Sequence, residues 1–333
     1  MSTEYSAEIV ADLQAMVSAG LARWGLSAQT TITLLNLSEN ATFRLQDART
    51  GADLVLRVHR LGYSSVAEIQ SELAWIDALR TDGIVATAPP VAGVDGQRVQ
   101  TLASPAGFPA REAVAFEFLS GKEPAQTDDL AYWFRQLGGL NARMHAHARR
   151  WPKPSGFVRK RWDFDAMVGP QGYWGSWRAG LGLDAAGEAV IEQALAVIAT
   201  KLAVYGNGPD RFGLVHADLR LANLLVDGES LRVIDFDDCG LSWFVYDFAA
   251  AVSFIEHEPV IPALIEAWTA GYREVAPLDA EDAAMIPVFV MLRRILLTAW
   301  IASHAEVPFA RELGSTYTVG TVQLARALLA KPA

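Results

Sequence analysis

The sequence predicts an α+β protein with a small, strand-rich N-terminal part and a larger, mainly helical C-terminal part. Three observations carry this. About the first hundred residues alternate short apolar runs with turn residues. After Leu119-Ser120-Gly121 the apolar spacing lengthens to that of helices. A chain of 333 residues with 51% apolar content is long enough to bury two cores. We therefore place a boundary at about Ser120, dividing the chain into 1–119 and 120–333.

Taken in order, a helix over roughly Glu8 to Trp24 opens the chain. Thr31–Leu37, Ala41–Asp47 and Leu54–His59 read as successive strands, separated by Ser38-Glu39-Asn40 and Thr50-Gly51-Ala52. Val66–Leu79 has helical spacing, with Ile69, Leu73, Ile76 and Leu79 on one face. Val85–Val91, Gln97–Thr101 and Glu112–Phe118 add strands, and the first long helix beyond the boundary starts near Asp128. No repeats or low-complexity tracts interrupt the pattern.

The most informative stretch is Leu214-Val215-His216-Ala217-Asp218-Leu219-Arg220-Leu221-Ala222-Asn223, followed by Val233-Ile234-Asp235-Phe236-Asp237. The spacing His-x-Asp-Leu-x-x-x-Asn, then apolar-Asp-Phe-Asp, is that of a kinase catalytic loop and metal loop. Phosphoryl transfer needs an acceptor hydroxyl held in line and the charge of the transferred group neutralised. Asp218 is the candidate base. Asn223 and Asp235 are candidate Mg²⁺ ligands, since the hard cation prefers oxygen donors and accepts few from protein. Between them, Leu224–Val226, Asp227-Gly228 and Leu231–Ile234 read as a hairpin that returns Asp235 to Asn223. His216 is expected to pack under the loop.

Composition sets limits. One cysteine, Cys239, excludes internal disulfides and fits a reducing cytoplasm. Met1-Ser2-Thr3-Glu4 lacks the basic and apolar regions of a signal peptide. The apolar run Ile286 to Ser303 is split by Arg293 and Arg294, which argues against a membrane span. Net charge of −10 argues against nucleic acid and suits a cationic substrate. These features lead us to expect a cytoplasmic protein with a small-molecule partner, leaving its oligomeric state open.

Further parts of a nucleotide site can be sought on this map. Arg57, in Leu54-Val55-Leu56-Arg57-Val58, is a strand cation pointing away from its apolar neighbours. Glu72, on the following helix, is placed to pair with it. Ser38 and Asn40 lie in the turn expected to close over ATP phosphates, although that turn has no glycine. At Phe116-Glu117-Phe118-Leu119, backbone groups of Glu117 and Leu119 are placed to meet adenine.

Together these residues resemble the phosphotransferase superfamily that includes aminoglycoside phosphotransferases, choline kinases, type II homoserine kinases and bacterial stress-response kinases. The resemblance spans roughly residues 20–300. It implies a protein-kinase-like two-lobed fold, ATP with Mg²⁺, Asp218 as base, and Asn223 and Asp235 as metal ligands. Arg57 stands where the family has lysine, and a guanidinium fork meets phosphate differently from a point charge. Asp247, within Tyr246-Asp247-Phe248, is expected to brace the catalytic loop through its backbone N–H groups.

The acceptor is less legible. The Trp151–Trp177 segment could cover it, its aromatic faces packing an apolar or cationic substrate, or could simply anchor a loop by packing. One of Arg293 and Arg294 is expected on Asp237, Asp238 or Glu256 and the other at solvent, unless the pair holds a substrate carboxylate. The leading expectation is a kinase for a hydroxyl of a small, amine-bearing metabolite. Two alternatives stand beside it: a protein Ser/Thr kinase of the stress-response type, and a nucleotide-binding pseudokinase.

Overall fold

The computed structural model of the chain describes residues 6–125 and 129–330. The expectations placed on Met1–Glu4 and on Asp128 lie outside them. The chain divides into two compact units. One comprises Met1–Thr81, Thr87–Ser120 and Lys153–Val158, the other Asp82–Ala86, Gly121–Pro152 and Arg159–Ala333. Two short segments, 82–86 and 153–158, thus fall on the opposite side from a single cut at Ser120.

In the first unit, α1 (Ala7–Gly20) starts at Ser6, whose hydroxyl accepts from the Ile9 N–H at 3.3 Å. The expected single helix to Trp24 is in two pieces. Gly20, a weak helix former, ends the α-helix, and Leu21–Trp24 form a 3₁₀ turn stopped by Gly25 at φ 69°. Six strands follow: β1 (Thr31–Leu37), β2 (Ala41–Asp47), β3 (Ala52–Val58), β4 (Pro90–Val91), β5 (Val99–Leu102) and β6 (Arg111–Glu117). They pair antiparallel in the order β1-β2-β3-β6-β4, with β5 also on β6. Alternation on β2 sends Phe43 and Leu45 into a core shared with Leu13, Met16 and Val17 of α1. The helix α2 (Val66–Thr81) buries Ile69, Leu73, Ile76 and Leu79, the face its spacing predicts. The strand expected over Val85–Val91 shrinks to two residues. Pro89 and Pro90 have no N–H to give a ladder, and the Pro89 carbonyl accepts from the Glu117 N–H at 3.1 Å.

The second unit holds α3 (Leu130–Arg150), α4 (Phe164–Val168), α5 (Ala185–Tyr205), β7 (Phe212–Val215), β8 (Leu224–Asp227), β9 (Ser230–Val233) and β10 (Gly240–Trp243). It continues with α6 (Tyr246–Ala251), α7 (Ile261–Arg273), α8 (Ala280–Ser303) and α9 (Pro308–Leu329). Helices α3 and α7 touch backbone to backbone: a Cβ on Gly271 would stand 1.9 Å from the Arg135 carbonyl oxygen. Helix α8 is long and apolar enough to cross a membrane, but 89% of its most apolar stretch is buried within the protein, as befits a core helix.

Two small antiparallel pairs decide where the motif residues go. Strands β7 and β10 pair with Val215 opposite Gly240, and β8 and β9 pair with Leu224 opposite Val233. The connection 216–223 runs from β7 to β8 and the connection 234–239 from β9 to β10. Pairing at both ends therefore holds the two loops side by side. The hairpin turn is centred one residue later than the Asp-Gly pair suggests. Asp227 faces Ser230 and Gly228 takes φ 61°, as a two-residue loop with glycine first requires.

Candidate active site

Loop 216–223 carries Asp218 and Asn223, and loop 234–239 carries Asp235. The Ile234 N–H donates to the Asn223 carbonyl at 3.0 Å, tying the two loops together where the metal donors were expected. Asp218 is surrounded by donors. Asn223 Nδ2 donates to its Oδ2 at 2.8 Å and to its backbone oxygen at 2.8 Å. Arg293 Nη2 donates to its Oδ1 at 2.7 Å, and Arg220 Nε lies 3.4 Å from Oδ2. Burial pushes the Asp218 carboxyl up to about 7, against the pull of Arg220 and Arg293 and with the help of Asp238 and Asp235. A carboxylate poised near neutrality suits general-base work.

The loop backbone is strained, and the strain is held in place. Ala217 has φ 66° and Asp235 φ 63°, both in the left-handed region that costs a non-glycine residue on the order of 1–2 kcal/mol. Asp247 of α6 clamps the first. Its Oδ1 accepts from the Ala217 N–H at 2.7 Å and its Oδ2 from the His216 N–H at 3.3 Å. Asn141 and His145 of α3 complete its shell at 3.2 Å and 2.9 Å. Burial pushes the His145 imidazole down, opposed by Asp247. A neutral ring with its proton on Nε2 donates to Asp247 and accepts from the Tyr272 hydroxyl at 3.1 Å. The brace expected of Asp247 is present. His216 does pack under the loop, fully buried, its Nδ1 accepting from the Asp218 N–H and its Nε2 donating to the Ile234 carbonyl.

Arg293 is the residue that sequence reasoning misassigned. The expected partners were Asp237, Asp238 or Glu256, with one arginine of the pair at solvent. Both guanidinium groups are buried. Arg293 binds Asp218, and also donates to the Tyr246 hydroxyl at 3.0 Å and to Ser253 Oγ at 3.1 Å. Arg294 takes Glu256 at 2.7 Å, one of the partners expected. With both forks engaged inside the protein, the pair is not arranged to receive a substrate carboxylate. Helical spacing shows which face a residue occupies, and nothing in it announces a partner 75 positions away.

Asn223 turns its amide nitrogen toward Asp218, so its carbonyl oxygen remains the donor for a cation, while Asp235 is exposed on the adjoining loop. Two hard oxygen donors fit Mg²⁺, which takes few ligands from protein and the rest from phosphate and water. Among the described residues no cluster of three or more His, Cys, Asp or Glu forms a self-sufficient metal cage.

In the first unit, Arg57 Nη2 reaches both Glu72 oxygens, at 2.6 and 2.7 Å, with both side chains buried. The Asn40 side-chain oxygen accepts from the Arg60 N–H at 3.1 Å, and the Ser38 N–H donates to the Asn40 carbonyl at 3.1 Å. Asn40 thus shapes the turn on which Ser38 sits. At the end of β6 the N–H groups of Glu117 and Phe118 are taken by the carbonyls of Pro89 and Asp53, whereas Leu119 lies just beyond the ladder. In the aromatic segment Trp162, Trp174 and Trp177 are all buried, so their rings pack within the protein.

The model of a family described as the phosphotransferase enzyme family matches residues 31–278. A microcompartment-associated aminopropanol kinase of known structure is 42% identical, with a TM-score of 0.87 over 95% of this chain and 97% of that one. The amicoumacin kinase of Bacillus subtilis (strain 168) is 25% identical over 286 residues, 83% of this chain and 81% of that protein. An amicoumacin kinase solved with AMP-PNP, Ca²⁺ and Ami shares the fold at a TM-score of 0.75 and 23% identity, over 97% of this chain and 96% of that one.

Proposed function

This chain belongs to the phosphotransferase enzyme family and is an ATP-dependent small-molecule kinase, and we propose that it uses Mg²⁺ to phosphorylate the hydroxyl of a small amino alcohol. The observation that carries the reading is the setting of Asp218. It is a carboxylate fixed by Asn223 and Arg293, raised toward neutrality, and accompanied by Asp235 and Asp238. The net charge of −10 favours an acceptor that carries an ammonium group. The 42% identity to an aminopropanol kinase supports the same acceptor class.

In this reading Asp218 Oδ2 or Oδ1 receives the acceptor proton as the hydroxyl oxygen bonds to the γ-phosphorus and the bond to ADP breaks. Arg293 and Asn223 keep that carboxylate from rotating away. Asn223 Oδ1 and Asp235 would hold Mg²⁺, and the bound cation would supply charge neutralisation for the phosphates. Arg57, kept extended by Glu72, supplies a cation to the nucleotide phosphates, with Ser38 and the turn shaped by Asn40 covering them. Glu117 C=O and Leu119 N–H meet the adenine edge.

The test offers purified protein, Mg²⁺ and γ-labelled ATP to 1-amino-2-propanol, ethanolamine, choline, homoserine, an aminoglycoside and a generic protein. Label transferred to an amino alcohol with the highest kcat/KM is the expected result. Label on protein alone, or nucleotide binding without turnover on any acceptor, overturns the reading.

A further inference from the structure

The segment Arg159-Lys160-Arg161-Trp162 does something its sequence does not show: it captures three consecutive carbonyls of the loop that carries Asp235. Arg159 donates to the Asp237 carbonyl and, through Nε, to the Cys239 carbonyl at 2.6 Å. Between them the Trp162 indole N–H donates to the Asp238 carbonyl at 2.7 Å. Lys160 Nζ stands 3.3 Å from Asp238 Oδ1.

The main chain is fastened as well. Trp162 N–H donates to the Leu241 carbonyl at 2.8 Å, Leu241 N–H to the Lys160 carbonyl at 2.9 Å, and Ser242 Oγ to the Trp162 carbonyl at 2.8 Å. Gly240 permits this approach, because a Cβ there would stand 2.5 Å from the Lys160 oxygen and 2.9 Å from the Trp162 ring.

We propose that Arg159 and Trp162 are positioning residues for the metal, holding the loop in the shape that presents Asp235 to Mg²⁺. The inference rests on the reading of Asp235 as the metal-binding carboxylate. The physical reason is local. Asp235 is exposed and left-handed, and the residues after it form no ladder, so their buried carbonyls need donors from elsewhere. Groups that orient a metal ligand without touching the metal typically change affinity 10–100-fold when removed. Arg159 is buried and Trp162 fully so, and both are engaged with carbonyls of the loop.

The experiment titrates Mg²⁺ against AMP-PNP binding by calorimetry for wild type, Trp162→Phe, Arg159→Lys and Asp235→Asn, with melting temperature recorded beside it. Trp162→Phe keeps the ring and loses the N–H; Arg159→Lys keeps the charge and cannot span two carbonyls. Each is expected to raise the Mg²⁺ concentration for half-maximal binding about 10-fold, leaving metal-free nucleotide binding unchanged. A merely structural role would lower the melting temperature and leave the Mg²⁺ requirement at the wild-type value, and that result overturns the proposal. Should one variant fail to fold, the other decides. If Asp235→Asn itself leaves the Mg²⁺ requirement unchanged, the metal reading falls and takes this proposal with it; if only Asp235→Asn shifts it, the proposal alone falls.

Discussion

In the proposed mechanism two carboxylates 17 positions apart, on loops joined by the hydrogen bond from Ile234 N–H to the Asn223 carbonyl, carry different duties, so their removal separates them. Asp218→Asn is expected to leave Mg²⁺-dependent AMP-PNP binding near wild type and to lower kcat by about 10²-fold or more, the scale of losing a positioned general base. Asp235→Asn should instead weaken the Mg²⁺-dependent part of nucleotide binding. Loss of nucleotide binding in the first variant with retention in the second would reverse the assignment. Arg293 adds a pH signature. The proposed base must be ionised to act, so kcat/KM should rise with pH through about 7 in the wild type. Arg293→Met removes a cation that favours the ionised form, so the acid limb should move to higher pH. An unmoved limb would mean that Arg293 only packs. Asp238 accompanies Asp218, and Asp238→Asn should raise KM for an amino alcohol more than for an acceptor without nitrogen. The motif residues were legible because spacing alone marks them; Arg293 and Arg159 were not, because their partners are long-range and a helix face or a loop gives no sign of what it will meet.

At the scale of elements, what could be read was whatever local periodicity determines. The strands β1 and β2 and the buried face of α2 follow from alternation, turn residues and helical spacing. What could not be read depends on backbone chemistry or on another element. Strand β4 is cut to two residues by prolines, the opening helix ends at Gly20, and α9 breaks at Gly314, where φ is 47° and ψ −142°. The link from the first helix to the sheet runs through Asp47, whose side chain accepts from Ser27 N–H at 2.7 Å and from Arg49 N–H at 2.9 Å. The Ser27 backbone donor, foremost, holds its carboxyl down at about 2. A depressed folded value means the contact stabilises fully above the ordinary aspartate range and is lost as pH falls from about 3.8 toward 2. Asp47→Asn should therefore flatten the acid side of the stability curve measured by denaturant titration, and an unchanged acid limb would contradict this. Asp247→Asn tests the other link, from α6 to the catalytic loop. It replaces one acceptor oxygen with a donor facing donors, and a stability loss of roughly 1–3 kcal/mol is expected. A stability unchanged within error would show that the brace is dispensable.

For the whole molecule, sequence and structure agree on a sheet-bearing N-terminal unit and a helical unit carrying both motif loops, which is the architecture of a phosphotransferase. The acidic net charge, −10 over 333 residues, suits the cationic acceptor proposed. The acceptor was the least legible part of the sequence, since the tryptophans that might have marked it are spent on packing and on the loop of Asp235. The most direct measurement is the ³¹P spectrum of a reaction containing the protein, ATP, Mg²⁺ and 1-amino-2-propanol. The account predicts one new phosphomonoester resonance, split by the proton on the carbinol carbon, growing in step with ADP. Growth of ADP with inorganic phosphate alone, or an unchanged ATP spectrum, would contradict it.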